Sequence, residues 1–243
     1  MSLTEKTTLE YVAGLAKPEA IELEGRPYTT AKVHPVATPL PECMVIHTLT
    51  GVRDYLVENI DGLELDRLLI QVLTPKVVRV RSRLTGPFED RACYLTANHE
   101  QPEFQFGKYY DIESFIIELQ SKFVQDDMTA NILQLVGNIT DDMINIYADD
   151  GITQQVNTKN GVGMKEGRPV PNPVVLSPRR TFNEIFQPEG RFVFRLKSGS
   201  GSTTGRPLVA LFEADGGMWE LKAIEFIRKW LRDNVPEDVT IIA

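Results

Sequence analysis

Three runs that alternate apolar and polar residues, 68–73 (LLIQVL), 77–83 (VVRVRSR) and 91–97 (RACYLTA), are separated only by short segments containing Thr74-Pro75 and Thr85-Gly86-Pro87. Such spacing constrains the fold strongly. Parallel neighbours need a crossover of a dozen or more residues, so strands this close together must pair antiparallel. One face of that sheet takes Val78 and Val80, and the other takes Arg79, Arg81 and Arg83.

Helical spacing appears on either side of these strands. Leu49, Val52, Leu56 and Ile60 make one face behind Thr48, a natural cap, after a short strand at 44–48. Ile112, Phe115, Ile116, Leu119 and Phe123 make another behind Asp111, whose carboxylate complements the helix dipole. Ile132, Leu135, Val136 and Ile139 make a third, with Asp127 as the expected cap. Further strands are expected at 174–176, 192–196 and 208–212, and Asp150-Gly151 and Asn160-Gly161 mark hairpin turns of a meander between 143 and 163. Asp215-Gly216-Gly217 then turns the chain into a helix over 219–232, where Trp219, Ala223, Ile224, Phe226, Ile227, Trp230 and Leu231 share an arc of about 160°. The fold class is α+β, mostly antiparallel sheet with two or three packed helices and an N-terminal arm. The arm is residues 1–42, a helix over 4–16 ended by Pro18 and a proline-rich stretch with at most one strand; residues 43–243 form a single α+β domain.

Charge narrows the function classes. The 243-residue chain has a formal net charge of −8, which opposes wholesale attraction to nucleic acid or anionic membrane. The distribution is uneven, however: residues 98–151 hold eleven Asp and Glu against Lys108 and Lys122, whereas residues 178–232 hold ten Lys and Arg against six acids. These blocks can meet within one fold or between subunits. The N-terminus does not read as a signal peptide and no window approaches a membrane span. Two cysteines, Cys43 and Cys93, do not make a disulfide scaffold and fit a reducing cytoplasm.

Chemical motifs are sparse. Cys43, His47, Cys93 and His99 could be assembled into a zinc site on paper, but a four-residue strand step separates Cys43 from His47 by about 13 Å. The pairs Asp126-Asp127, Asp141-Asp142 and Asp149-Asp150 fit a helix start, a strand entry and a hairpin turn better than a Mg²⁺ site. The Ser/Gly loop over 198–205 lacks the Lys-Ser/Thr end of a P-loop and leads into a strand. No catalytic, cofactor or metal residue is therefore assigned.

Two basic stripes remain as candidate contacts for anions, nucleic acid or another subunit. Arg79, Arg81 and Arg83 form one; Arg191, Arg195 and Lys197 form the other, opposite Phe192, Phe194 and Leu196 and with no aromatic interleaved on the basic side. Arg179 and Arg180, after Pro178, serve either an internal salt bridge or a subunit contact.

The segments NPVVLSPRRTF (172–182), QPEGRFVFR (187–195) and ALFEADGGMW (210–219), with VIHTLTGVRDYL (45–56), FGKYYDIESFIIELQSKF (106–123) and DDGITQQV (149–156), resemble the YfdQ-like family of tailed-phage and prophage proteins, a family without an assigned activity. The resemblance covers most of the chain beyond residue 40. It implies a phage or prophage origin and an accessory role in the infected cell, and transfers no catalytic residue. The resulting expectation is a non-enzymatic, cofactor-free homo-oligomer in the host cytoplasm; the alternative is a nucleic-acid-binding protein of phage replication or recombination.

Overall fold

Pro18 stops the first helix, and the chain then doubles back. The computed structural model describes residues 3–15, 18–23, 26–29, 39–86, 89–139, 172–199 and 205–243. It divides into two units, Met1–Leu40 and Pro41–Ala243. In the first, α1 (Leu3–Leu15) precedes β1 (Ala20–Leu23) and β2 (Arg26–Thr29), which pair antiparallel from Ala20 opposite Thr29 to Leu23 opposite Arg26. The expected helix is α1, and the stretch 25–42 holds one strand, β2, among its described residues; what the sequence reading lacked is β1 before it, which makes a hairpin. Pro27 is tolerated because both strands of a two-stranded ladder are edges.

The second unit begins with β3 (Met44–Ile46) and α2 (Leu49–Glu58). Thr48 caps α2 by accepting a hydrogen bond from the Gly51 N–H, and Asn59 ends it in the left-handed region at φ 43°. β4 (Leu68–Thr74), β5 (Val77–Ser82) and β6 (Cys93–Asn98) form the antiparallel meander that the short connections require. β3 joins the far side of β6 in parallel, because α2 supplies the crossover that returns the chain in the same direction. Ile70, Val78, Val80 and Leu95 point to one face and pack on Leu49, Val52 and Leu56 of α2.

A second sheet follows. β7 (Tyr110–Asp111) leads into α3 (Ile112–Lys122), α4 (Asp127–Gly137), β8 (Val174–Leu176), β9 (Gly190–Gly199) and β10 (Gly205–Glu213), and the strands align in the order β7-β10-β9-β8, all antiparallel. Asp111 caps α3 through the Ser114 N–H and hydroxyl. The α4 cap is Asp126, which accepts from the Thr129 N–H at 2.8 Å; the expected Asp127 is already the first helical residue. Helices α3 and α4 cover a core rich in phenylalanine, in which Phe104 meets Phe115 and Phe123 edge to face. The meander expected between 143 and 163 lies outside the described residues.

α5 (Met218–Asn234) then returns to the first sheet, and β11 (Thr240–Ile242) adds to β4 in parallel, giving the mixed order β11-β4-β5-β6-β3. Ile227 and Leu231 of α5 complete the first core. The architecture is α+β and mostly antiparallel. The helices are shared between two sheets, α2 and α5 on one and α3 and α4 on the other.

Residues 177–189 join the two cores. Phe123 bridges Pro178, the Thr181 hydroxyl donates to the Pro75 carbonyl, and Phe182 enters the first core beside the ring of His99. Burial holds the His99 imidazole below its ordinary pKa of 6.5, against the opposing pull of Glu103. The unfolded chain therefore binds a proton near pH 6.5 while the folded chain resists it. Stability contributed by neutral His99 is complete above that pH and is lost as pH falls towards the folded value. Urea midpoints measured from pH 7.5 to 5 should fall more for the native sequence than for His99→Gln; parallel pH profiles would show that His99 carries no such linkage.

Candidate functional site

Each cation picked out in the sequence now has a place. Arg79 and Arg81 lie half-buried on the face of the five-stranded sheet opposite α2 and α5, with Arg79 beside Gln71 and Thr96 and Arg81 beside Leu69 and Cys93. Arg83 falls one residue beyond β5; it is exposed and donates to the Thr240 hydroxyl at 3.4 Å. Among the described residues, none of these three guanidinium groups has a carboxylate within ion-pair distance. Val45 and Ile242 are exposed on the outer strands of the same face, opposite Thr96 and Gln71 respectively.

That face also carries a correction. Cys43 and Cys93 form a disulfide, with Cα atoms 5.2 Å apart, across 50 residues of sequence. The parallel pairing of β3 with β6, which short-range pattern does not reveal, brings them together. His47, meanwhile, is exposed and binds the Asn98 carbonyl at 3.1 Å, and His99 is buried. Among the described residues no three His, Cys, Asp or Glu side chains converge as a metal site.

The second stripe lies on the outer face of the four-stranded sheet, away from α3 and α4. Phe192, Phe194 and Leu196 point into the core, leaving Arg191, Arg195 and Lys197 on the other side of β9. Register adds neighbours that the sequence reading omitted. Lys197 stands opposite Leu208, Arg195 opposite Ala210, and Val193 opposite Phe212. Tyr109, just before β7, contacts Phe212 edge to face at 6.0 Å, and the Lys197 ammonium lies 5.8 Å from the Tyr109 ring centre. The expectation of a basic side without aromatics is therefore corrected: the rings come from the adjacent strand and the edge beyond it. Phe212 was legible from the parity of 208, 210 and 212 once β9 and β10 were paired. Tyr109 carried no local signal.

Arg191 and Lys197 are exposed, Arg195 is half-buried, and Tyr109 keeps 38% of its surface in solvent. Asp111 shares this face, opposite Leu208, but its carboxylate is turned to the α3 terminus. Hydrogen bonds from Ser114 hold it below the usual carboxylate range, so it stays charged in service of the helix.

Arg179 and Arg180 separate. The Phe123–Pro178 bridge and the Arg179 N–H bond to the Lys122 carbonyl at 2.7 Å fix the chain here, leaving Arg179 exposed and sending Arg180 inward. The Arg180 side chain is only 4% exposed. It pairs with Glu213 and lies 3.8 Å from Asp215, with its guanidinium over the Trp219 ring and beside Phe106 and Phe192. Burial lowers its pKa, while the carboxylates of Glu213 and Asp215 favour the charged form. Of the two uses open to these arginines in the sequence, Arg180 takes the internal salt bridge.

The acid pairs follow local structure where it is described: Asp126 caps α4 and Asp127 begins it. Asp141-Asp142, Asp149-Asp150 and most of the Ser/Gly loop lie outside the described residues. Comparisons with protein-family models, curated proteins and solved structures found no match to this chain.

Removing Arg180 strands two carboxylates and empties an aromatic-lined space. Arg180→Ala should lower unfolding free energy by about 3 kcal/mol, the lower end of the range for a broken buried pair because Glu213 is partly solvated. Chemical denaturation would measure this, and a loss below about 1 kcal/mol, the scale of an exposed pair, would refute the structural role.

Proposed function

We propose that this chain is a non-enzymatic accessory protein of phage or prophage origin, acting as a homo-oligomer in the cytoplasm of the infected bacterial cell. The observation that carries this reading is the first unit. Leu9, Tyr11 and Val12 of α1 are 55%, 69% and 56% exposed, and among the described side chains of residues 6–40 none is buried. Some 40 residues without a disulfide or metal rarely sustain a fold without a core. The described residues of this unit form no core of their own over these side chains, so they need a cover from beyond the unit.

A second copy is the occupant that is always present, and closed symmetry lets every arm be covered by a neighbour. Each apolar side chain fully covered this way contributes about 1.5–3 kcal/mol. The same face of the five-stranded sheet as Arg79 and Arg81 carries exposed Val45 and Ile242 on its outer strands, which supports the same reading. Rings of identical subunits can bring such arginines to the acidic segment of a neighbour. The resemblance to phage proteins supplies the biological setting.

Light scattering of the full chain at micromolar concentration should give a mass of at least two subunits. The triple variant Leu9→Glu, Tyr11→Glu, Val12→Glu should shift that mass towards the 27.4 kDa monomer. A native chain that is monomeric at the same concentration would overturn the reading.

A further inference from the structure

We infer that the outer face of the four-stranded sheet is a binding surface for single-stranded nucleic acid, with its backbone along β9 and its bases towards Tyr109 and Phe212. Arg191 and Lys197, both exposed, lie on one side of a single strand about 20 Å apart. Two cations at that spacing along one strand can contact phosphates of one backbone. The Tyr109 ring then stands beside the Lys197 ammonium, with Phe212 against it, so one edge presents a cation and an aromatic surface together. That combination favours an unpaired strand, because a base can reach a ring only when it is free of a duplex stack.

The bulk charge sets the conditions. A chain of net charge −8 repels nucleic acid at long range, so attraction must be local. The only carboxylate that register places on this face among the described residues of β7, β9 and β10, that of Asp111, is occupied by the α3 terminus. Arg191 and Lys197 have no carboxylate within ion-pair distance among the described residues. Contacts of this kind are made chiefly to phosphates and rings, so affinity should depend strongly on salt and little on sequence. The inference is independent of self-association.

Fluorescence anisotropy of the full chain with a labelled oligo(dT) of about 20 nucleotides, in about 50 mM salt, tests it. Saturable binding is expected, weakened about tenfold or more by raising salt to about 200 mM. A duplex of the same length should bind about tenfold more weakly than the single strand. Tyr109→Ala should weaken binding about fivefold or more, and Tyr109→Phe should restore it. The pair Arg191→Glu, Lys197→Glu should abolish binding. Oligo(U) measured alongside separates RNA from DNA, and tighter binding of either supports the inference and names the source. Ultraviolet crosslinking of the native chain, read by peptide mass, should place the label at Tyr109 or Phe212 and requires no variant to fold. Absence of saturable binding, equal affinity for duplex, or crosslinks confined to other segments would overturn the inference. So would a surface on which the Arg191 and Lys197 substitutions change subunit mass and leave oligonucleotide affinity untouched.

Discussion

The Arg180 guanidinium ties together parts of the chain that otherwise meet only through connecting segments. It lies over Trp219 in the first turn of α5, touches Phe106 and Phe192 of the second core, and pairs with Glu213 at the end of β10 and Asp215 in the following turn. Burying a cation costs more than most side-chain contacts return, and only several partners acting together offset it. Gly190 is one consequence: a Cβ there would come within 2.8 Å of both the guanidinium and the Phe192 ring, so β9 must begin with a residue that has no side chain. The Ala214 N–H bond to the Arg191 carbonyl, at 2.8 Å, holds the adjoining end of the sheet. The register that sets the exposed cations of β9 against Phe212 is therefore anchored from inside.

Local physics was legible in the sequence, and pairing at a distance was not. Thr48 and Asp111 cap their helices because a short side-chain oxygen beside an apolar periodic run has few better uses. Val78 and Val80 face the core, as alternation required. The strand expected at 44–48 is β3, but its parallel pairing with β6, and β11 with its parallel pairing to β4, depend on partners far along the chain, and the disulfide depends on the first of these. Asp126 displaced Asp127 as a cap because adjacent carboxylates offer the same group to the same amide, and the chain's approach to α4 chooses between them.

The candidate site divides along the same line. Alternation within β9 was enough to place Arg191, Arg195 and Lys197 on one face, but Tyr109 reaches that face from a segment with only two residues of strand. For Arg180 the sequence leaves an internal salt bridge and a subunit contact both open. Its burial follows from the Phe123–Pro178 bridge, the Gly190 gap and the Trp219 ring, which lie up to 57 residues away and carry no joint signature.

A chain with perturbed titratable groups invites a catalytic reading, since desolvation and charge partners are how active sites are tuned. Here each perturbed group already has a structural task. The Tyr55 hydroxyl, raised above its ordinary pKa chiefly by burial, donates to Asp61 at 2.7 Å and ties α2 to the turn after it. Asp111 serves a helix terminus, His99 packs on Phe182 between the cores, and Arg180 holds the start of α5. The Tyr110 hydroxyl, raised by burial, donates to the Gln105 carbonyl and accepts from the Gln105 N–H, so all five perturbed groups among the described residues have a structural partner. Outside these networks, among the described residues, stand Arg191, Lys197 beside the Tyr109 ring, Arg79, Arg81, and the exposed Leu9, Tyr11 and Val12 of α1. The buried charges explain why the sheets that carry the exposed cations hold their shape.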